Sequence, residues 1–237
     1  MSQSLEQFPA ASADSGSARR LERQRNVLVR EVHHRIKNSL QGVAGMLRQH
    51  ALIDPAAAPV LERAIAQVRT IAVVHGLEGK ALYNEVVLCE MAPSIVRMVQ
   101  ELVLPDGGPF EVTVDVPERI RVCEQERVPV ALILNELILN AAKHAVSPNT
   151  GPALSLAVRW DPSLQCACVS IINPGRLPEG FDFATERCIG TGLELVHSML
   201  PGRGASLSFN DRAGYVETRL LLSPPVIYSI GQAIATP

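Results

Sequence analysis

Hydrophobic residues recur at helical spacing in the first part of the chain, and mixed helical and alternating patterns follow. An apolar stripe runs from residue 19 to about 50, where Asp54-Pro55 ends it, and a second runs from about 59 to 77. The helical pattern stops around 76–79, so we expect a hairpin of two amphipathic helices. The first stripe contains Val29, Val32, Ile36, Leu40, Val43 and Leu47, and the second contains Leu61, Ile65, Val68, Ala72 and His75.

The apolar stripe of this hairpin is wider than one helical partner can cover. We therefore expect two copies of the chain to pair as a homodimer with a four-helix bundle. The alternative is that both helices pack only on the rest of the chain. Residues 1–18 are rich in Ser, Ala, Gln and Gly, and we expect them to be disordered, with no room for a sensor domain before the first helix.

The pattern over residues 83–223 predicts a domain of mixed helices and strands. Strands are predicted at 110–116, 154–160, 166–172, 205–210 and 215–222, the last four as two β-hairpins. Helices are predicted at 88–104, 124–145 and 192–200, and a tail follows at 224–237. The predicted fold class is therefore α+β, with a helical hairpin over 19–79 ahead of the mixed domain.

Composition narrows the choice of partner and compartment. The chain is 47% hydrophobic and has a formal net charge of -2, and it contains no Lys/Arg run with interleaved aromatic residues, so we expect no nucleic-acid partner. No apolar run approaches the ~18 residues that span a bilayer, and the N-terminus lacks the apolar core of a signal peptide. We expect a cytoplasmic protein without a membrane span. Its scattered cysteines are expected to be buried free thiols: Cys89, Cys123, Cys166, Cys168 and Cys188.

The first helix carries two adjacent histidines with different surroundings. At about 100° per residue, His33 lies at the edge of the apolar stripe, whereas His34 and Asn38 share the opposite face one turn apart. An exposed imidazole beside positive charge suits attack on an incoming phosphoryl group. The alternative is an amphipathic helix that happens to contain two histidines. The flanking cations are Arg30, Arg35 and Lys37.

The predicted helix at 124–145 carries a narrow polar stripe of Glu136, Asn140 and Lys143, bordered by Leu132 and Leu139. Polar groups within an apolar border are costly unless they have partners, and a metal-bound polyphosphate is a suitable partner. Asn140 can offer an oxygen to Mg²⁺, Lys143 can pair with phosphate, and Glu136 can act as a base. The alternative is a solvated helix face.

A second phosphate-binding element is predicted where Gly190-Thr191-Gly192-Leu193 opens the next helix. Backbone amides at a helix N-terminus bind phosphate well. Glycines at such a position are common, so this feature carries weight only together with the polar stripe.

The motif E-x-H-H-R-x-K-N-x-L-Q at residues 31–41 resembles the phosphoacceptor helix of sensor histidine kinases of two-component systems. The similar subclass has the acceptor motif His-His-Arg-x-Lys-Asn. The resemblance implies that His34 is the phosphoacceptor and that Asn38 is the amide used in the phosphatase reaction. Helical geometry selects the same histidine.

The later segments resemble the gyrase/Hsp90-type ATP-binding domain of that family, and together the resemblances cover about residues 25–222. The pattern N-E-x-x-x-N-A-x-K-H resembles the family's N box, and the glycine segment resembles its second glycine box. The implied fold is an α/β sandwich that binds ATP and Mg²⁺. The implied catalytic residue of this domain is Glu136. The implied binding residues are Asn135, Asn140, Lys143, His144, Asn173, Gly175, Gly190, Thr191, Gly192 and Leu193.

One position departs from the family pattern. The family has an Asp-x-Gly segment whose aspartate accepts a hydrogen bond from adenine, whereas this chain has Asn173-Pro174-Gly175. A neutral acceptor in place of a charged one loses about 1 kcal/mol, or about tenfold or less in affinity. Residues 176–189 are short for an ATP lid, so we expect a loosely covered nucleotide.

The sequence therefore predicts a dimeric histidine kinase that phosphorylates His34 with ATP and Mg²⁺. The phosphoryl group would pass to an aspartate in the receiver domain of a response regulator, and a separate sensor protein would supply the signal. One alternative is a non-catalytic phosphotransfer protein with a degenerate ATP-binding domain. A further one is a serine kinase of the anti-sigma type, which the His34 helix opposes.

Overall fold

The computed structural model describes residues 12–80, 85–103, 110–117, 120–144, 154–212 and 214–229. Its first part is a hairpin of two long helices, α1 (Ser12–Ile53) and α2 (Ala58–Lys80). Asp54 fixes the turn between them, because its Oδ1 accepts a hydrogen bond of 3.0 Å from the backbone N–H of Ala56. The predicted hairpin is therefore present.

Both helices of the hairpin are longer than the sequence pattern predicts. Helix α1 begins at Ser12, because no proline interrupts the chain between residues 9 and 55 and helix propagation adds a hydrogen bond per residue. The predicted disorder of residues 1–18 is thus wrong for 12–18, and residues 1–11 lie outside the described part. Helix α2 continues to Lys80 because Glu78, in its last turn, forms a buried ion pair of 2.9 Å with Arg127.

The second part of the chain mixes three helices with eight strands among the described residues. The helices are α3 (Leu88–Val103), α4 (Arg127–His144), which follows one 3₁₀ turn, and α5 (Thr191–Met199). The strands are β1 (Val86–Val87), β2 (Phe110–Asp115), β3 (Ile120–Val122), β4 (Leu154–Asp161), β5 (Cys166–Pro174), β6 (Ala205–Arg212), β7 (Tyr215–Leu222) and β8 (Ile227–Ser229).

The strands form one large and one small sheet. The large sheet has the order β2-β4-β5-β7-β6, in which only the β2–β4 pair is parallel. Both predicted β-hairpins are present, β4 with β5 and β6 with β7. The small sheet has the order β1-β3-β8. Part of the predicted tail therefore belongs to the fold, because fully buried Ile227 pairs with Val122.

Helix α4 lies at the centre of the molecule. It packs on α3, on α5 and on strand β5, and the helical hairpin covers it through α2. Because neighbours surround it, 13 of its 18 residues are buried, including the polar residues Asn135 and Glu136. The other face of the large sheet is partly exposed, as Ile172 and Leu221 show. Helices on one side of a sheet, preceded by a helical hairpin, confirm the predicted α+β class.

Candidate functional site

A cavity of about 280 Å³ opens between α4, the end of β5 and the start of α5. The end of strand β5 forms one wall of the cavity, α4 forms its floor, and residues 176–190 line its side. Seven of the residues implied by the family resemblance line this cavity: Asn140, His144, Asn173, Gly175, Gly190, Gly192 and Leu193. The structure thus brings together residues that lie more than fifty positions apart in the chain.

The start of α5 approaches α4 closely at Gly192. A Cβ at this position would lie 2.7 Å from Oε2 of Glu136 and 3.6 Å from Nδ2 of Asn140, so only glycine fits without a shift. Gly190 is the N-cap residue, and as a glycine it has no side chain that could cap the helix. Backbone N–H groups of the first turn therefore have no side-chain cap beside the cavity, which is the arrangement that binds anions.

Glu136 is 1% exposed and lies directly behind Gly192. Its Oε1 accepts a hydrogen bond of 2.9 Å from Nε2 of Gln67, whereas its Oε2 has no hydrogen-bond partner among the described residues. Nε of Arg63 is 3.8 Å from Oε2, and the same guanidinium donates to the hydroxyl of Thr191. The hairpin therefore reaches into the site through α2.

Arg63 and Gln67 were not predicted from the sequence. They lie one turn apart on α2, and this four-residue spacing of two polar residues is the sequence signal that could have indicated a shared contact. That signal does not tell which domain the pair faces, since its partners are more than sixty positions away.

Two residues implied by the resemblance lie away from the cavity. Asn135 is fully buried, and neither Nδ2 nor Oδ1 has a hydrogen-bond partner among the described residues. Lys143 is exposed and lines a separate groove that Arg48 and Glu62 of the hairpin also line. The polar stripe of α4 is therefore divided, because Glu136 and Asn140 face the start of α5 while Lys143 faces the hairpin loop.

Asn173 occupies the far wall of the cavity and is 4% exposed. Its Nδ2 donates a hydrogen bond of 2.8 Å to the carbonyl of Pro174, which leaves Oδ1 as the acceptor that an adenine amino group requires. Gly175 follows at φ +138°, a conformation that other residues rarely adopt. Its N–H donates to the carbonyl of Gly214, which fixes the end of the strand.

Residues 176–189 form a short cover that packs on the sheet. Phe181 and Phe183 contact the ring of Phe209, with centroid distances of 5.1 and 5.4 Å. A backbone pair between Asp182 and Arg187 closes the turn, and hydrogen bonds from Thr185 lower the pKa of the Asp182 carboxyl. The cover is therefore short, as predicted, but it is packed by aromatic residues that the sequence pattern did not identify as part of the site.

The two histidines of α1 differ as the helical pattern predicts. His34 is exposed, and its Nδ1 lies 3.4 Å from Nδ2 of Asn38. His33 is half-buried and contacts His75 of α2, with 3.1 Å between the two Nδ1 atoms. His34 is thus free to meet another molecule, and Asn38 lies beside it on the same face.

His34 lies far from the cavity in this arrangement. Its neighbour His33 contacts His75, whereas Arg63 reaches the cavity. These two residues of α2 are twelve positions apart, which corresponds to about 18 Å along a helix. A nucleotide in the cavity would therefore be too distant from His34 of the same chain for direct transfer.

A second apolar stripe runs along α1 without a partner in the described part of the chain. At about 100° per residue its six members fall within about 40° of one line on the helix. Val32 and Val43, expected inside the hairpin, belong to this exposed stripe. The exposed fractions are 66% at Leu21, 66% at Leu28, 53% at Val32, 38% at Val43, 59% at Met46 and 72% at Ile53.

None of the five cysteines, all of which lie in the described ranges, forms a disulfide. Cys166 is buried, and burial raises the pKa of its thiol. The prediction that all five are buried holds only for Cys166, since Cys89, Cys123 and Cys168 are half-buried. Cys188 is exposed and lines the cavity because it lies in the short cover. None of the helices in the described ranges combines the length and hydropathy needed to cross a membrane.

Known proteins resemble this chain over both of its parts. Residues 31–102 match the family model HisKA_2, described as histidine kinase. The sensor histidine kinase PdtaS of Mycobacterium tuberculosis is 27% identical over 186 residues, which cover 74% of this chain and 35% of that protein. PdtaS of Mycolicibacterium smegmatis is 27% identical over 198 residues, covering 79% of this chain and 37% of its own length. The chain thus spans little more than a third of these relatives.

Solved structures share the fold. The histidine kinase domain of the blue-light activated histidine kinase EL346 from Erythrobacter litoralis has a TM-score of 0.55 at 21% identity, covering 85% of this chain and 94% of that chain. A longer structure of the same kinase has a TM-score of 0.54 at 20% identity, covering 85% and 63%. With the family match over the hairpin, these similarities support a relation of the chain to sensor histidine kinases.

Proposed function

We propose that this chain is an ATP-dependent protein histidine kinase that phosphorylates His34 and passes the phosphoryl group to an aspartate of a response regulator. The observation that carries the proposal is that one chain contains both an exposed candidate phosphoacceptor histidine and a cavity suited to a nucleotide. His34 is exposed beside Asn38 on a helix matched by the histidine kinase family, and a cavity lined by Asn140, Gly190 and Gly192 lies in the following domain.

The residues around the cavity fit a nucleotide with Mg²⁺. Oε2 of Glu136 is buried without a hydrogen-bond partner among the described residues, and the half-buried amide of Asn140 lines the cavity beside it. Asn140 would hold Mg²⁺ through its side-chain oxygen, and the first turn of α5 would hold phosphate. Mg²⁺ supplies neutralisation of the charge that develops on the transferred phosphoryl group. Oδ1 of Asn173 would accept the adenine amino group.

In the proposed reaction a nitrogen lone pair of the His34 imidazole attacks the γ-phosphorus of ATP. An N–P bond forms, the bond to the β-phosphate oxygen breaks, and ADP leaves with the electron pair. The imidazole proton passes to a base, for which Glu136 is the proposed group. His34 of α1 lies level with His75 of α2, which is about 18 Å along that helix from the cavity. The hairpin must therefore move, or the ATP must come from a second chain.

A second copy of the chain is part of this proposal. The exposed apolar stripe of α1 extends over about nine turns, which suits a four-helix bundle between two hairpins. His34 lies about 140° from the centre of that stripe, so pairing through the stripe would leave His34 accessible to a regulator. The proposed partners are therefore a second chain and a receiver domain, and the proposed location is the cytoplasm.

The decisive experiment is incubation of the purified chain with γ-labelled ATP and Mg²⁺. We expect label on the protein that is lost in acid and kept in alkali, as phosphohistidine requires. His34→Gln should abolish the label, whereas His50→Gln should retain it, since His50 is another exposed histidine on α1. Equal labelling of the wild type and folded His34→Gln would refute the assignment.

A further inference from the structure

Two histidines and a glutamate meet where the helical hairpin approaches the start of α4. Nδ1 of His33 lies 3.1 Å from Nδ1 of His75 and 3.1 Å from Oε2 of Glu78. Nδ1 of His75 lies 2.8 Å from the same oxygen. The three atoms therefore form a nearly equilateral triangle. No other trio of His, Cys, Asp or Glu side chains in the described ranges is grouped this closely.

Hydrogen bonding alone does not account for this triangle. Oε2 of Glu78 is buried and has no hydrogen bond of acceptable geometry with any described residue, although both nitrogens are within 3.1 Å. A buried carboxylate oxygen without a donor is unfavourable. The short distance between the two Nδ1 atoms also requires that at least one presents a lone pair to the other. A cation inside the triangle would receive lone pairs from all three atoms.

We propose that His33, His75 and Glu78 form a binding site for a divalent transition-metal ion, with Zn²⁺ as the best match. Imidazole nitrogens favour Zn²⁺ over Mg²⁺ or Ca²⁺. Zinc bonds of about 2.0–2.2 Å place tetrahedral ligands about 3.3 Å apart. The observed separations of 2.8–3.1 Å reach that value by a small outward movement of the side chains. The fourth position stays open to water.

The surroundings of the cluster suit such a site. Nη1 of Arg127 donates a hydrogen bond of 2.9 Å to Oε1 of Glu78, which holds the carboxylate and leaves Oε2 for the ion. Metal-ligating carboxylates are commonly fixed by partners of this kind. The side chains of His33 and His75 are 13% and 22% exposed, so an ion can enter from solvent.

The position of the cluster gives the ion a structural role. His33 belongs to α1, His75 and Glu78 belong to α2, and Arg127 connects the cluster to α4. A bound ion would cross-link the two helices of the hairpin next to His34 and strengthen their contact with the sheet domain. The cluster is separate from the nucleotide cavity, so this site does not depend on the proposed kinase activity.

The site can be tested by titrating Zn²⁺ into the full chain after removal of metal by a chelator, without nucleotide, in a calorimeter. We expect one Zn²⁺ per chain. We also expect Co²⁺ to give the strong visible absorption of tetrahedral coordination. His75→Asn and His33→Asn should each weaken Zn²⁺ binding by at least about tenfold, because loss of a ligand exceeds the effect of a lost supporting partner.

Matched controls come from histidines outside the cluster. His197 pairs with the exposed Glu186 at 3.2 Å, and His34 is adjacent to the cluster in sequence but faces solvent. His197→Asn and His34→Gln should retain wild-type affinity for Zn²⁺. Circular dichroism identifies the folded variants. Equal Zn²⁺ affinity of the wild type and either folded cluster variant, or the weak spectrum of octahedral Co²⁺, would overturn the proposal.

Discussion

Replacing Gly192 by alanine tests the contact between α5 and α4. The added Cβ would lie 2.7 Å from Oε2 of Glu136, 3.5 Å from Nη2 of Arg63 and 3.6 Å from Nδ2 of Asn140. A carboxylate at the end of a side chain often gives way, but Glu136 is buried and held by a 2.9 Å hydrogen bond from Gln67. The neighbours must therefore shift together.

The expected loss of folding stability in Gly192→Ala follows from two opposing effects. Adding a methyl group to a packed site costs about 1–3 kcal/mol. Alanine regains up to about 1 kcal/mol through its higher helix propensity. The middle of the cost range minus the full gain is about 1 kcal/mol, so we expect Gly192→Ala to lower the free energy of unfolding by about 1 kcal/mol, measured by urea denaturation followed by circular dichroism.

Gly190→Ser provides the matched control in the same glycine segment. A Cβ at Gly190 meets no atom within 4 Å, and its φ of -95° and ψ of 170° suit an N-cap serine. This variant should retain or slightly raise the stability of the wild type. If Gly192→Ala were as stable as the wild type, or if Gly190→Ser lost as much stability, the packing argument would be refuted.

Three further predictions address the proposed function. Asn173→Asp should tighten ATP binding by about tenfold or less in calorimetry, because a charged acceptor replaces a neutral one; unchanged affinity would contradict the adenine contact. Asn38→Ala should keep His34 phosphorylation but lose acceleration of phospho-regulator decay, and equal acceleration by wild type and variant would exclude the role. Val32→Asp should produce monomers in analytical ultracentrifugation. Val27→Asp should not, since Val27 is 64% exposed but lies about 120° from the stripe; dimeric Val32→Asp would refute the interface.

The elements with strong periodicity were predictable from the sequence, and so was the different exposure of the two adjacent histidines. A half-buried His33 and an exposed His34 follow from helical geometry alone. Short strands were missed, since β1 has two residues and β3 has three, too few to show an alternating pattern. Strand β8 was missed because its partner is distant in sequence.

The candidate site was predictable only in part, because contacts between distant segments complete it. Local patterns identified Asn140 and Gly192, whose side-chain type and spacing carry the signal. Arg63 enters the site through packing of α2 on α4, which no local pattern encodes. Asn135 shows the same limit, because it is a polar residue that the family resemblance implies for ligand binding and that the structure buries.

The hydrogen bonds that Gln67 and Arg63 of α2 donate to Glu136 and Thr191 have a thermodynamic consequence. They connect the hairpin to α4 and α5, which would hold Mg²⁺ and phosphate, so a ligand that displaces Arg63 or Gln67 also loosens the docking of the hairpin. Linkage makes this effect reciprocal, and any partner that holds the hairpin in its docked position weakens that ligand by the same factor. For such a ligand, occupancy of the cavity and release of the helix that carries His34 would be governed by one coupled equilibrium.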